Sequence, residues 1–394
     1  MIWLPIPLAV LATIPAFVLR FGGAHVTPGT EAFTYGVAIL GAAFLLTWAA
    51  EVSEMDVPQG FALAGLALIA VMPEYAVDLY FAWQAAHHPA YTAYATANMT
   101  GANRLLVGIA WPLIVFLFCW KRGATRLDLP PSRSIELVFL SLATIYSFVI
   151  PLKGTISLVD MLFLGGCFVA YMWRVSRAEV GEPELVGPAR FIGQFRPAGR
   201  RAIVIAIFLY SGTVILGAAE PFAEALIASG RAFGIDEFLL VQWLAPLASE
   251  APEVVIACIL TVKGDAQAGM GAVISAEVNQ WTLLVGTLPL VYSLSLGHPG
   301  AVHLDARQAE EILLTGAQSA FAVAIIANLS LSLLEAGTLF GLFIITLALP
   351  NQEIRYMISA VYIALALGML VRQRRALPAL FRWGLSGHDH EAPA

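Results

Sequence analysis

A chain of 394 residues with 59% hydrophobic and only 12% charged side chains, at a mean hydropathy of +0.79, is not an ordinary soluble domain. The formal net charge of −6 comes from acidic and basic residues segregated along the sequence, so it implies no nucleic-acid-binding surface. Three cysteines, Cys119, Cys167 and Cys258, all lie in apolar runs without paired spacing, and predict neither a disulfide nor a metal-thiolate centre.

The opening segment MIWLPIPLAVLATIPAFVLRF lacks the basic start and small-residue cleavage site of a signal peptide and is long enough to span. It reads as a retained first helix. Cutting the hydropathy at turn signals and charge clusters then predicts about twelve spans, each near the ~20 residues a bilayer requires. They fall at 3–20, 33–53, 59–86, 95–120, 134–152, 155–174, 202–228, 237–262, 269–297, 310–334, 336–350 and 355–371. Lys121, Arg122, Arg126 and Arg133 lie in the fourth loop, Arg177, Arg190, Arg196, Arg200 and Arg201 in the sixth, and Arg372, Arg374, Arg375 and Arg382 after the last span. The odd loops are nearly bare of Lys and Arg, which predicts cytoplasmic termini and even loops in a multi-pass protein of the cell inner (plasma) membrane.

The sixth loop, 175–201, is the longest and most hydrophilic connection, and reads as a cytoplasmic linker. On either side of it the chain shows internal similarity. AAEVSE at 49–54 answers to AAEPFAE at 218–224, PEYAVD at 73–78 to PEVVIA at 252–257, and GANRLLVG at 101–108 to NQWTLLVG at 279–286. Five helices separate equivalent points, and an odd offset inserts the second copy upside down, as in secondary transporters. The predicted fold is therefore all-α and polytopic, with two inverted-topology repeats of about five helices. A leading helix (1–27), a first repeat (28–174), the linker, a second repeat (202–350) and a last helix with cytoplasmic tail (351–394) make up the chain.

Inside the predicted spans lie Glu74, Asp78, Glu250, Glu253 and Glu277, with Asn98, Asn103, Gln242, Ser249, Asn279 and Gln280 close by. At roughly 2.5–3.5 kcal/mol for each carboxylate at mid-membrane, these acids must face a cavity, a cation or protons. Glu74 and Asp78 are spaced i, i+4 and Glu250 and Glu253 i, i+3, so each pair shares a helix face. Pro73 and Pro252 each remove a backbone donor, which is expected to open the helix at the depth of the glutamates. Freed carbonyls and carboxylates are the oxygen ligands a hard cation such as Ca²⁺ prefers, and carboxylates in apolar surroundings can exchange a proton for a metal ion. By contrast Glu51, Glu54, Glu220 and Glu224 fall near predicted helix ends and read as solvated caps, and His87, His88, His388 and His390 as loop or tail residues.

The block ASEAPEVVIACILTVKGDAQAGMGAVISAEVNQWTLLVG, 248–286, resembles the second α-repeat of the calcium/cation antiporter superfamily, which includes sodium/calcium and cation/proton exchangers. Ser249, Glu250, Pro252 and Glu253 fill that family's Pro-Glu segment, Gly264 and Gly271 its following glycines, and Gly286 closes its apolar run. In the first copy Pro73-Glu74 and ANMTGANRLLVG, 97–108, stand at the corresponding places, with a short insertion near His87-His88. The resemblance implies that Glu74 and Glu253 ligate a transported Ca²⁺, with Asp78, Glu250, Glu277, Asn98, Asn103, Ser249, Asn279 and Gln280 as further candidate ion-site residues. Hydroxyls that line the family's sodium sites are replaced by Ala70, Val71, Ala102 and Ala276, and a further polar position becomes Leu106 and Gln280. The exchange of hydroxyls for acids favours a proton as counter-ion over sodium.

The expectation is a secondary antiporter moving a cation, with Ca²⁺ as the favoured cargo, against H⁺ or Na⁺, without cofactor and with the lipid bilayer as its surroundings. A passive cation channel or an Na⁺/H⁺ antiporter on the same fold is the alternative. An enzyme is not expected: HExxH, GxSxG and GxxxxGK[ST] motifs are missing. Lys121, Lys153 and Lys263, the only lysines, lie at span ends, which leaves no mid-helix Schiff-base lysine for a retinal pump.

Overall fold

The computed structural model describes residues 3–23, 26–56, 71–177, 185–349 and 351–386. The described residues are mainly helical, and their helices fall at the places hydropathy predicts. In the first half these are α1 (Pro5–Gly22), α2 (Pro28–Ser53), α3 (Met72–Ala85), α4 (Ala90–Leu105), α5 (Trp111–Arg122), α6 (Ser134–Ser147), the short α7 (Val149–Lys153) and α8 (Leu158–Val175). After the one-and-a-half-turn α9 (Pro188–Gly193) in the linker come α10 (Pro197–Phe233), α11 (Glu237–Lys263), α12 (Ala266–Asn279), α13 (Val285–Leu296), α14 (Ala306–Ile326), α15 (Leu333–Ala348), α16 (Gln352–Arg372) and α17 (Leu377–Ser386). Among the described residues nine helical runs are long and apolar enough to cross a membrane. The other three expected spans are occupied by α3, by the continuous run 266–296, and by α15. The run 266–296 misses the apolar criterion because Glu277, Asn279 and Gln280 sit at its middle. Residues 57–70, the first part of the expected third span, lie outside the described residues.

Each repeat contains one helix that changes its winding. Between α4 and α5 the backbone forms a π turn at Leu106–Ala110, and between α12 and α13 another at Gln280–Leu284. A π turn inserts one residue into the helical ladder, and such turns gather at functional sites. Of the two registers the sequence offers, these favour the one that sets Leu106 against Gln280, and hence Asn103 against Glu277, over the LLVG strings, which pair 101–108 with 279–286, one helical turn away.

Among the described residues four short strands are arranged alike in the two halves. β1 (Arg126–Asp128) follows α5 and β2 (Thr155–Ile156) precedes α8 in the first repeat; β3 (Val302–His303) follows α13 and β4 (Ser330–Ser332) precedes α15 in the second. β1 pairs antiparallel with β4, placing Leu127 opposite Leu331, and β2 pairs with β3, placing Ile156 opposite Val302. Exchanging the two repeats maps this pattern onto itself. The helices that follow β2 and β4 also start alike, with the reciprocal capping boxes Ser157/Asp160 and Ser332/Glu335.

The chain divides into two compact units that each draw on both repeats, and so cut across the repeat boundaries. The first is Met1–Gly101 with Glu179–Val255, the second Ala102–Ala178 with Ile256–Ala394. In the first, alanines of α2 and α10 let the helices approach closely around Ile39, Leu46, Phe81, Phe222 and Leu226. Gly41 shows how close: a Cβ there would lie 2.7 Å from the carbonyl oxygen of Ala9 on α1. The second unit is built around the fully buried Trp111, Trp281, Tyr362 and Phe343.

Candidate ion-binding site

The first unit holds Glu74, Asp78, Asn98, Ser249, Glu250 and Glu253. Met72 begins α3, so Pro73 occupies the first turn, where no backbone donor is needed, and Glu74 sits in that turn, buried. Asp78 follows one turn later, also buried, and its Oδ1 accepts from Asn98 Nδ2 at 2.8 Å across to α4.

The second Pro-Glu segment is different. α11 runs unbroken from Glu237 to Lys263 through both Pro246 and Pro252, so the expected opening of this helix does not occur. The prolines act on its carbonyls instead: each lacks the N–H that would bond the residue four back, Gln242 for Pro246 and Ala248 for Pro252. The carbonyl of Gln242 is directed at Gly101 on α4, where a Cβ would come within 1.8 Å of it. Only glycine permits this crossing. It also allows Gln242 Nε2 to donate to Thr100 Oγ1 at 3.3 Å. Ser249 donates back to the carbonyls of Ala245 and Pro246, both at 3.3 Å, within its own helix.

Glu250 and Glu253 lie one turn apart on α11, with Glu250 buried. Among the described residues no three Asp, Glu, His or Cys side chains gather into a cluster able to hold a metal ion. The carboxylates stand as two pairs, Glu74 with Asp78 and Glu250 with Glu253, rather than as one cage.

In the second unit, Asn103, Glu277, Asn279 and Gln280 are all buried. Glu277 accepts from Ser319 Oγ at 2.9 Å, and Ser319 in turn accepts from the indole of Trp281 at 2.9 Å. Asn279 and Gln280 lie at the junction where α12 gives way to the π turn.

Two features were misread or missed at the level of sequence. Glu220 is an exposed acid paired with Arg20, as a cap residue would be. Glu224 is not: α10 continues to Phe233, and Glu224 Oε1 accepts from the hydroxyls of both Tyr80 and Tyr91, at 2.7 and 2.5 Å. The second feature is a buried charge network. Arg104 Nη1 lies 2.8 Å from Glu311 Oε2, its Nη2 donates to Thr346 Oγ1 at 2.7 Å, and Arg355 contacts Glu311 from the other side and Glu310 at 3.8 Å. An arginine inside the apolar run GANRLLVG was the available signal for it.

All-helical repeats that each carry a Pro-Glu segment and a π-wound polar helix define a secondary cation antiporter. The sodium/calcium exchanger protein family matches residues 30–177 and 203–372. The chain belongs to that family, and through it to the calcium/cation antiporter superfamily. It is 45% identical to the H⁺/Ca²⁺ exchanger CAX, whose crystal structure superposes with a TM-score of 0.92 over 96% of each chain. The structure of native YfkE shares the fold at 14% identity, with a TM-score of 0.58 over 91% of this chain and 97% of that one. The sodium-calcium exchanger NCX_Mj, soaked with Na⁺ and Sr²⁺, does so at 15% identity and a TM-score of 0.55, over 82% and 98%. Among curated proteins, none matches the sequence.

Proposed function

We propose that the protein exchanges Ca²⁺ for H⁺, with Glu74 and Glu253 as the principal Ca²⁺ ligands and Asp78 and Glu250 as their partners. The observation that carries this reading is the placing of Glu250 and Glu253 one turn apart on α11, with Glu250 buried, since two carboxyls so placed in apolar surroundings hold a proton between them unless a cation is bound. A divalent cation bound there needs both carboxylates ionised, so its arrival expels the shared proton and its departure takes one up. One group thus serves cargo and counter-ion in turn, which is the requirement for strict exchange. Ser249, a hydroxyl at the position of a family sodium ligand, is engaged with its own helix. The 45% identity with a protein described as an H⁺/Ca²⁺ exchanger supports the same ion pair. Ca²⁺ takes about six to eight oxygens, so on loading the two carboxylate pairs converge, and the carbonyl of Ala248, opposite the missing donor of Pro252, can join the shell.

The positive-inside distribution of Lys121, Arg122, Arg126, Arg133 and the linker arginines supports insertion in the plasma (inner) membrane with both termini cytoplasmic. The test is ⁴⁵Ca²⁺ uptake into vesicles under an imposed pH gradient or sodium gradient, for wild type, Glu74→Gln and Glu253→Gln. Saturable uptake driven by the pH gradient and lost in both variants is expected. Uptake driven only by sodium would replace the proton as counter-ion, and unsaturable flux without a gradient would make the protein a channel.

A further inference from the structure

Two adjacent residues of α14 reach the two repeat-equivalent positions of the second unit. Gln318 Nε2 donates to the backbone carbonyl of Arg104 at 3.2 Å, the residue after Asn103 and two before the first π turn. Ser319 Oγ donates to Glu277 Oε1 at 2.9 Å, three residues before the second π turn. Because the indole of Trp281 can only donate, and does so to Ser319 Oγ, the hydroxyl hydrogen of Ser319 is directed to Glu277. All four side chains, Gln318, Ser319, Glu277 and Trp281, are buried.

The register that makes both contacts possible is held elsewhere on the same helix. Glu311 lies seven residues before Gln318, two turns back on the same face. It is bound to the guanidinium of Arg104 at 2.8 Å, so one residue, Arg104, is gripped by α14 at two heights: by its side chain through Glu311 and by its carbonyl through Gln318. Arg355 of α16 holds Glu311 from behind. Sliding α14 by even a fraction of a turn would break both grips on Arg104 and withdraw Ser319 from Glu277.

We propose that Gln318 and Ser319 are positioning residues for exchange, each holding one of the two repeat-equivalent polar positions, Asn103 through the Arg104 carbonyl and Glu277 directly, in a register set by Arg104 and Glu311. The role rests on the exchange reading above, together with the family resemblance that makes Asn103 and Glu277 candidate ion-site residues. α14 is then the fixed frame against which the two π-wound helices are aligned. Neither Gln318 nor Ser319 meets the ion.

The experiment uses the full-length protein in proteoliposomes, with initial Ca²⁺ uptake under a pH gradient measured against Ca²⁺ concentration for wild type, Ser319→Ala, Ser319→Thr and Gln318→Ala. Ser319→Ala is expected to raise KM for Ca²⁺ about five- to ten-fold, about the worth of one ordinary hydrogen bond, with kcat unchanged. Ser319→Thr, which keeps the hydroxyl, restores KM. An unchanged KM in Ser319→Ala, or a fall in kcat alone that threonine does not reverse, overturns the proposal. Amide hydrogen exchange on the same samples without any gradient gives a second readout: faster exchange at 277–284 only for Ser319→Ala, and at 103–110 only for Gln318→Ala. Loosening of both segments in both variants, or of neither, also overturns it. Wild-type protein that takes up no Ca²⁺ would sink the exchange reading, and the amide pattern would still decide whether the two residues hold their separate segments.

Discussion

Arg104 and Glu311, 207 residues apart in sequence, form an ion pair at 2.8 Å in which neither side chain touches solvent or lipid. Removing one partner of such a pair leaves an uncompensated buried charge. Glu311→Ala, which strands Arg104 and Arg355 together, is therefore expected to destabilise the protein by about 3–5 kcal/mol, and thermal unfolding in detergent would register it. Glu311→Asp, which keeps the charge on a shorter arm, should recover part of that loss. Equal melting of wild type and Glu311→Ala would show that the network contributes nothing.

Gly101 faces the Gln242 carbonyl with no room for a methyl group, the nearest approach of a Cβ being 1.8 Å to a backbone atom. Backbone cannot swing aside as a flexible side chain can. Gly101→Ala should force α4 and α11 apart, separate Gln242 from Thr100, and cost about 1–3 kcal/mol as overpacking, with Ca²⁺ uptake falling more than the amount of folded protein. Gly166→Ala, at a glycine with open space around it, is the control and should behave as wild type.

Glu250 provides a separate test of the shared proton. In Glu250→Gln the amide can donate to Glu253 without a proton being held there, so Ca²⁺ binding at Glu253 no longer expels one at this pair. Uptake should persist with weaker affinity, and its dependence on the pH of the Ca²⁺-loading side should flatten relative to wild type. A pH profile identical to wild type would remove Glu250 from the proton path.

Asp56, just beyond α2, accepts hydrogen bonds from Arg200 at 2.7 and 2.8 Å and from Arg201 at 3.1 Å. The bonds to Arg200 first, and Arg201 less, hold its carboxyl below the ordinary range against a smaller opposing effect of burial. Since the folded value lies below the unfolded one, this stabilisation is complete above the ordinary carboxylate pKa and disappears as pH falls through the lowered value. Melting curves of wild type and Asp56→Asn should differ at neutral pH, begin to approach each other only below about pH 4, and converge once the lowered value is passed. A constant difference across that range would show that the pairing is not electrostatic.

Much of this architecture was legible beforehand because the bilayer imposes a local rule. Every spanning backbone must satisfy its own hydrogen bonds, so apolar stretches of sufficient length become helices whatever they pack against. Hence the places of the helices, the buried carboxylates and the Pro-Glu segments could be read directly. The register between the repeats was legible only in part. LLVG in each repeat suggested one match and the family's motif another, one turn away, that sets Leu106 against Gln280; the π turns favour the second, since apolar strings of leucine and valine recur easily whereas a π turn depends on the packing that accommodates its extra residue. For the same reason Pro73 and Pro252 looked alike: whether a proline starts a helix, as Pro73 does, or is carried inside one, as Pro252 is, depends on what its neighbours can do with the freed carbonyl.

The sequence by itself thus determined that the chain is polytopic with acids at two related places, since composition and spacing act over one or two helical turns, while its resemblance to a family pointed to an antiporter. Only the tertiary structure decided that Asp78 is held by Asn98, that Glu224 accepts from Tyr80 and Tyr91, and that Arg104 is neutralised by Glu311. Those pairings depend on how helices cross. A buried polar group must find a partner wherever the crossing presents one, and that partner can lie two hundred residues away.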